Sequence, residues 1–201
     1  MIGAVIAAAG LSSRMGDFKP LLPYRGKTIL AATVEKLQAV GVAEIVVVVG
    51  YRHHEIEKYF AENTALHFVY NPYYREKDML YSLQCGIKKL RKADAAFVMP
   101  ADMPAISLQT FSLLIDAWQL KKGTVIIPVK NGRWKHPPLI GKKYFSDIVS
   151  FTGENGMRGI LQGLAKKAFL VETVDDGLNI DVDTPEEYKN LLAKEISLKN
   201  G

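Results

Sequence analysis

The sequence predicts a three-layer α/β sandwich built on a doubly wound, mostly parallel sheet. Strand-length apolar runs and helix-period segments alternate five times with short joins. Ile45-Val46-Val47-Val48-Val49 is an unbroken β-branched run, the pattern of a central parallel strand covered on both faces. Crossovers between parallel strands are right-handed in ~98% of cases, which folds such an alternation into one sandwich.

Taken in order, Ile2 to Ala8 is a continuous apolar run that breaks at Gly10, a buried first strand. Thr28 to Ala39 carries Ile29, Leu30, Thr33, Val34 and Leu37 at helical spacing, and the pattern stops at Gly41. The valine strand spans Glu44 to Val49. A helix follows from His53 to Phe60, a third strand from Leu66 to Tyr70, and a helix from Met79 to Leu90. Ala95 to Met99 is the fourth strand, closed by Pro100. Ser107 caps a helix running to Leu120, and Thr124 to Val129 is the fifth strand. Beyond Asn131 the alternation breaks: Asn131-Gly132 reads as a hairpin turn into Arg133 to Ile140. Gly153 to Gly163 is Gly-rich, and its first part, Gly153 to Gly159, reads as a flexible loop. Ala168 to Val174 reads as a strand. Asp183-Thr184-Pro185-Glu186-Glu187 opens a last helix, with Thr184 the cap and Pro185 the first helical residue. The tail from Ser197 to Gly201 is expected to fray. No repeat or linker interrupts the 201 residues, so a single domain is expected.

Composition excludes several classes. Apolar residues make up 48% and charged residues 23%, which fits neither a disordered tail nor a collagenous repeat. The single cysteine, Cys85, forbids an intramolecular disulfide and fits a reducing cytoplasm. At helical spacing among Leu83, Ile87 and Leu90 it reads as a small buried hydrophobe. The net charge is +5, but the cations fall in scattered pairs: Lys88-Lys89, Lys121-Lys122, Lys142-Lys143 and Lys166-Lys167. Nucleic acid binding asks for a clustered basic face, so none is expected; a small anionic substrate suits the surplus. The apolar start has no charge before Arg14 and is shorter than the ~20 residues of a membrane span, so neither an export leader nor a membrane anchor is expected.

Ligands of such sheets bind beyond the carboxyl ends of the strands, which directs attention to the loops after Ala8, Val49, Tyr70 and Met99. The first loop is the richest. Ala8-Ala9-Gly10-Leu11-Ser12-Ser13-Arg14-Met15-Gly16-Asp17-Phe18-Lys19 joins small residues, whose backbone N–H groups can approach a phosphate chain, to two cations. Arg14 offers a planar fork to phosphate oxygens and Lys19 a point charge. The loop is no dinucleotide fingerprint, because after Gly10 the next glycine is Gly16. Gly26-Lys27-Thr28 is no Walker A terminus, because Leu21 stands where the first glycine belongs. No Gly-x-Ser-x-Gly nucleophile elbow occurs.

Asp102, between Pro100 and Pro104 at the end of the fourth strand, is either a Mg²⁺ ligand or a turn residue. Asp181 and Asp183 lie two apart on an extended segment and so point the same way. Asp183 starts the last helix and can also reach a metal. His136, before Pro137-Pro138, is either a turn histidine or a site residue, and Arg158 in the Gly-rich stretch can meet an anion. His53-His54 opens a polar helix where no zinc site is expected, and His67 reads as structural.

Together these motifs resemble the MobA-like NTP transferase family, and within it the branch of molybdenum cofactor cytidylyltransferases. The resemblance runs from Ala7-Ala8-Ala9-Gly10-Leu11-Ser12-Ser13-Arg14-Met15-Gly16 with Lys19, through Met79-x-x-Ser82-Leu83, Ala101-Asp102-Met103-Pro104, His136-Pro137 and Gly153-x-x-Gly156-x-Arg158, to Asp181-Val182-Asp183-Thr184-Pro185-Glu186. It implies a Rossmann-like nucleotidyltransferase fold, mostly parallel with one reversed strand. It implies transfer of a nucleotide from an NTP to a phosphate-bearing acceptor such as molybdopterin, with Mg²⁺ and release of pyrophosphate. The Ala8-Ala9-Gly10 form of the loop implies CTP. Ala8, Ala9, Gly10, Leu11, Ser12 and Ser82 are implied to bind the nucleotide. Arg14, Lys19 and Asp102 are implied to be catalytic, Asp102 and Asp183 to hold the metal, and His136, Pro137 and Arg158 to meet the acceptor. The product would pass to a molybdoenzyme or its chaperone. Asp78 and Lys135 depart from the family, which often has glycine before Met-x-x-Ser and before His-Pro. Guanylyl transfer, transfer to a sugar or alcohol phosphate, and a non-catalytic cofactor carrier are the competing readings.

Overall fold

The computed structural model describes residues 1–121 and 124–199, with side chains as far as Lys194. Lys122 of the Lys121-Lys122 pair, and Asn200 and Gly201 of the tail, lie outside the described residues. The strands are β1 (Ile2–Ala8), β2 (Pro23–Tyr24), β3 (Lys27–Thr28), β4 (Glu44–Val49), β5 (Leu66–Tyr70), β6 (Ala95–Pro100), β7 (Val125–Lys130), β8 (Arg133–Trp134), β9 (Leu139–Gly141) and β10 (Ala168–Glu172). The helices are α1 (Ile29–Ala39), α2 (His53–Tyr59), α3 (Met79–Ile87), α4 (Leu108–Leu120), α5 (Phe145–Ser150), α6 (Gly156–Gly163) and α7 (Pro185–Lys199).

The main sheet runs β10-β7-β9-β6-β1-β4-β5, with β8 paired to β7. β1 pairs in parallel with β4 and β6, and β4 with β5, so the valine strand is interior as its pattern requires. β9 is the reversed strand, antiparallel to both β6 and β7. The expected strand over Arg133 to Ile140 is in fact two short pieces, both reversed. Pro137 and Pro138 interrupt the pairing, because proline has no N–H for a ladder. The Asn131-Gly132 turn does form, both residues having positive φ (52° and 70°) as a tight hairpin demands. The β2–β3 hairpin over Pro23 to Thr28 has no counterpart in the sequence reading.

Side chains alternate across β1. Ala4, Ile6 and Ala8 pack with Leu30, Val34 and Leu37 of α1 and Phe111 and Leu114 of α4. Val5 packs on the other face with Leu83 and Ile87 of α3 and Ile160 and Leu161 of α6. The three layers follow. The stretch read as a flexible loop is helical from Gly156 onward. Met157, Ile160 and Leu161 recur at helical spacing on one buried face, and that burial outweighs the glycines. Cys85 is half-buried rather than buried, and His67 is exposed on edge strand β5.

Two contacts fix α3 and the chain after it on the sheet. Gly86 lets α3 lie directly on the sheet, since a Cβ there would fall 2.3 Å from Val5 Cγ1 and 2.8 Å from Val48 Cγ2. The buried Glu44 carboxylate accepts the N–H groups of Arg91, Lys92 and Ala93, tying the chain after α3 to β4. Thr28, Asp78 and Ser107 cap α1, α3 and α4 by accepting the N–H of the third residue on. α7 begins with a capping box: Thr184 Oγ1 accepts from Glu187 N–H, and Glu187 Oε2 accepts from Thr184 N–H. It continues to Lys199, through part of the tail expected to fray.

Candidate functional site

A cleft of about 340 Å³ opens at the carboxyl ends of β1 and β6. Residues 7–14 form its floor, Lys19, Asp102 and Asp183 one end, and Tyr74, Lys77, Asp78, Met79 and Ser82 the other. The structure thus gathers every residue expected to bind nucleotide or metal, from segments up to 175 positions apart, into one depression.

The floor is an anion cradle. Among the described residues, the N–H groups of Gly10, Leu11, Ser12, Ser13 and Arg14 meet no protein acceptor. The loop keeps its shape through other contacts. Met15 N–H donates to Ser12 O, and Lys19 N–H donates to Ser12 Oγ at 3.1 Å. Ser12 therefore holds the two ends of the loop together.

Lys19 lies between two carboxylates. Its Nζ is 2.8 Å from Asp102 Oδ2 and 2.8 Å from Asp183 Oδ1. Arg14 donates to the other Asp183 oxygen, Oδ2, at 2.9 Å. The Arg14 side chain is 70% exposed and Lys19 only 15%, so Lys19 is the built-in charge and Arg14 the solvent-facing one. Burial works to lower the Lys19 pKa, but the charge and hydrogen bond of Asp102, then of Asp183, outweigh it and hold it above 10.5. Burial works to raise Asp183, and Lys19 and then Arg14 outweigh it in turn, holding it below 3.8.

Asp181, expected to point the same way as Asp183, is exposed and does not line the cleft, but it lies near enough for both carboxylates to act on it. Partial burial raises its pKa, and the charges of Asp102 and Asp183 raise it further. Val182 N–H donates to Asp102 O at 3.2 Å, which ties the 181–183 segment to the loop after β6. Asp102 and Asp183, which line the cleft, are paired here with Lys19 and Arg14, and both offer only carboxylate oxygens as ligand atoms. That set fits a hard divalent cation such as Mg²⁺ or Mn²⁺.

The opposite end contains residues that sequence reasoning missed, Tyr74 and Lys77. Their place in the loop after Tyr70 was the available signal. Asp78, the family departure, uses Oδ1 to cap α3 through Tyr81 N–H at 3.1 Å.

The expected acceptor residues are less gathered. His136 packs behind the cluster, near enough for the Asp102 charge to act on it. Burial lowers its pKa, only partly countered by the Val98 backbone and Asp102, and its Nδ1 is buried with no partner among the described residues. The His136–Pro137 bond is cis, and Pro137 is buried. Arg158 is exposed on α6 and is not among the residues lining the cleft.

Away from the cleft, His53 Nδ1 lies 3.3 Å and His54 Nδ1 3.7 Å from Glu57. The three form a possible ligand set on the seven-residue helix α2. Among the described residues, no helix is long and apolar enough to cross a membrane.

Residues 4–168 match the model of the MobA-like NTP transferase domain. The molybdenum cofactor cytidylyltransferase of Escherichia coli (strain K12) is 30% identical over 96% of both chains. The probable molybdenum cofactor guanylyltransferase of Bacillus cereus (strain ATCC 10987 / NRS 248) is 27% identical over 92% of both. The crystal structure of Rv0371c from Mycobacterium tuberculosis H37Rv, a complex with manganese, matches with a TM-score of 0.75 at 22% identity. It covers 96% of this chain and 97% of that one.

Proposed function

The chain belongs to the MobA-like NTP transferase family and is a nucleotidyltransferase, and from that premise we propose that it transfers CMP from CTP to the terminal phosphate of molybdopterin or molybdenum cofactor, releasing pyrophosphate. The observation that carries the reading is the run of unpartnered N–H groups from Gly10 to Arg14, leading into Lys19 between its two carboxylates.

The triphosphate lies along that run, where backbone N–H groups donate to its oxygens without base-specific contacts. Arg14, exposed at the mouth of the cleft beside Asp183, meets the outer phosphates, and Lys19 stands at the α-phosphate. A phosphate oxygen of the acceptor attacks the α-phosphorus in line. The new P–O bond forms as the bond to the β-bridging oxygen breaks, and its electron pair leaves on pyrophosphate. The attacking phosphate is already anionic, so no general base is needed, and catalysis is positioning plus charge stabilisation. Asp102 and Asp183 would hold a Mg²⁺ ion, which when bound neutralises charge on the triphosphate and the leaving group. The manganese in the Mycobacterium tuberculosis structure supports a divalent ion in a protein of this fold. His136 and Pro137 would face the acceptor from behind Asp102, with Arg158 as an outer anion contact.

Ala8 and Ala9 narrow the floor beneath the base, and the relative with the cytidylyl name supports CTP. The test is a panel of four NTPs with Mg²⁺ and isolated molybdenum cofactor, scored by product mass and pyrophosphate. A CMP adduct is expected. A GMP adduct moves the protein to the guanylyl branch. Pyrophosphate only with a sugar or alcohol phosphate changes the acceptor.

A further inference from the structure

We propose that Asn71 is a positioning residue that fixes the Ser82 hydroxyl as a hydrogen-bond donor toward N3 of a cytosine ring. The proposal rests on reading the cleft as a nucleotide site.

Asn71 is completely buried just after β5. Its backbone N–H donates to Val49 O at 2.8 Å, which anchors it to the neighbouring strand. Its side-chain carbonyl accepts Tyr73 N–H at 2.9 Å, and its amide nitrogen donates to Ser82 Oγ at 3.0 Å. The orientation of the amide follows from the network. Tyr73 N–H can only donate, so Oδ1 must face it, and Nδ2 must face Ser82.

That orientation sets the polarity of Ser82. Its oxygen is already accepting from Asn71, so its own hydrogen must point elsewhere. Among the described residues that hydrogen meets no acceptor. Ser82 is 5% exposed and lines the cleft, at the end away from Lys19. With the triphosphate on Lys19 and the N–H groups of residues 10–14, this is the base end. A nearly buried O–H without an acceptor selects a ligand atom with a free lone pair. Cytosine presents N3 as an acceptor, whereas uracil presents an N3–H. The two rings share size, ribose and the O2 carbonyl, so a donor at N3 separates them where shape does not.

The experiment is calorimetric titration of CTP and UTP, each with Mg²⁺, into the parent protein and its variants. Asn71→Asp keeps the acceptor for Tyr73 N–H but offers Ser82 an acceptor in place of a donor. The Ser82 hydrogen then turns inward and a lone pair faces the base. The CTP-over-UTP affinity ratio is expected to fall at least tenfold. Ser82→Ala is expected to lower the ratio similarly, and adding Asn71→Asp to it should change the ratio no further. Asn71→Ser, which buries no charge, should fold and also lower the ratio. A purely structural role for Asn71 would weaken both nucleotides by one factor and leave the ratio unmoved, which overturns the proposal. A parent that binds neither nucleotide overturns the nucleotide reading and this inference together. A parent that binds CTP, with a ratio that Ser82→Ala does not shift, overturns the inference alone.

Discussion

Lys19 and Asp183, 164 residues apart in the chain, meet at 2.8 Å, and the same ammonium lies 2.8 Å from Asp102. The two carboxylate oxygens are therefore no further apart than twice that distance. A lysine of the loop after β1, proposed to bind phosphate, thus also neutralises the pair proposed to hold metal. Its raised pKa keeps it charged, and the sign of the linkage is simple. The pair's contribution is fully present below the ordinary value of 10.5 and is lost only as pH rises through the higher folded value.

Lys19→Ala should therefore do two things. Turnover should fall more than CTP affinity, because charge developing at the α-phosphate loses its partner. Melting should also become more dependent on MgCl₂ than in the parent, because Asp102 and Asp183 are left without their shared cation. Kinetics and thermal melts with and without MgCl₂ check both. A raised KM alone, with melting indifferent to MgCl₂, would reduce Lys19 to a docking charge.

Asp102→Asn should keep the fold and lose turnover by about a hundredfold or more, ~3 kcal/mol of transition-state stabilisation. The backbone carbonyl that accepts Val182 N–H is unchanged, so the 181–183 segment stays in place. Circular dichroism melts and steady-state rates at saturating MgCl₂ separate the two effects. Parental turnover there would remove Asp102 from the metal site.

Gly86→Ala should destabilise the protein by ~1–3 kcal/mol through overpacking. The added Cβ meets Val5 and Val48, β-branched side chains with little rotamer freedom, at 2.3 and 2.8 Å. Ser82 lies one turn earlier on the same helix, so CTP affinity should fall as α3 lifts. Urea unfolding and CTP titration measure the pair of effects. Unchanged stability would mean that α3 has room to move.

His136 should give stability a pH dependence near neutrality. Its folded pKa is depressed below 6.5, chiefly by burial, so the unfolded chain binds the proton more readily. The stability from a neutral imidazole is complete above 6.5 and is lost as pH falls from there toward the folded value, at up to ~1.4 kcal/mol per pH unit. Asp183 does not obscure this window, since its own depressed pKa acts only below 3.8. Urea unfolding between about pH 5 and 8 should show the slope in the parent and a flatter line in His136→Asn. Equal slopes would place the imidazole in contact with water.

The sequence by itself determined the alternating α/β architecture, the interior position of β4, the caps at Ser107 and Thr184, and the run of small residues and cations after β1. Each of these is written in local periodicity or in residues a few positions apart. Local reading failed where burial overrode composition. The glycines of 153–159 pointed to a loop, but Met157, Ile160 and Leu161 had a hydrophobic layer to enter and so formed α6. It also ran the reversed strand unbroken from Arg133 to Ile140, whereas Pro137 and Pro138, which have no N–H for a ladder, leave two short pieces, β8 and β9. Only the tertiary structure decided that Lys19 stands between Asp102 and Asp183, that Asp181 feels both carboxylates, and that Asn71 holds Ser82. Those relationships join segments distant in the chain at the ends of neighbouring strands. Distance and hydrogen-bond direction there are set by sheet order and register, and no run of neighbouring residues encodes them.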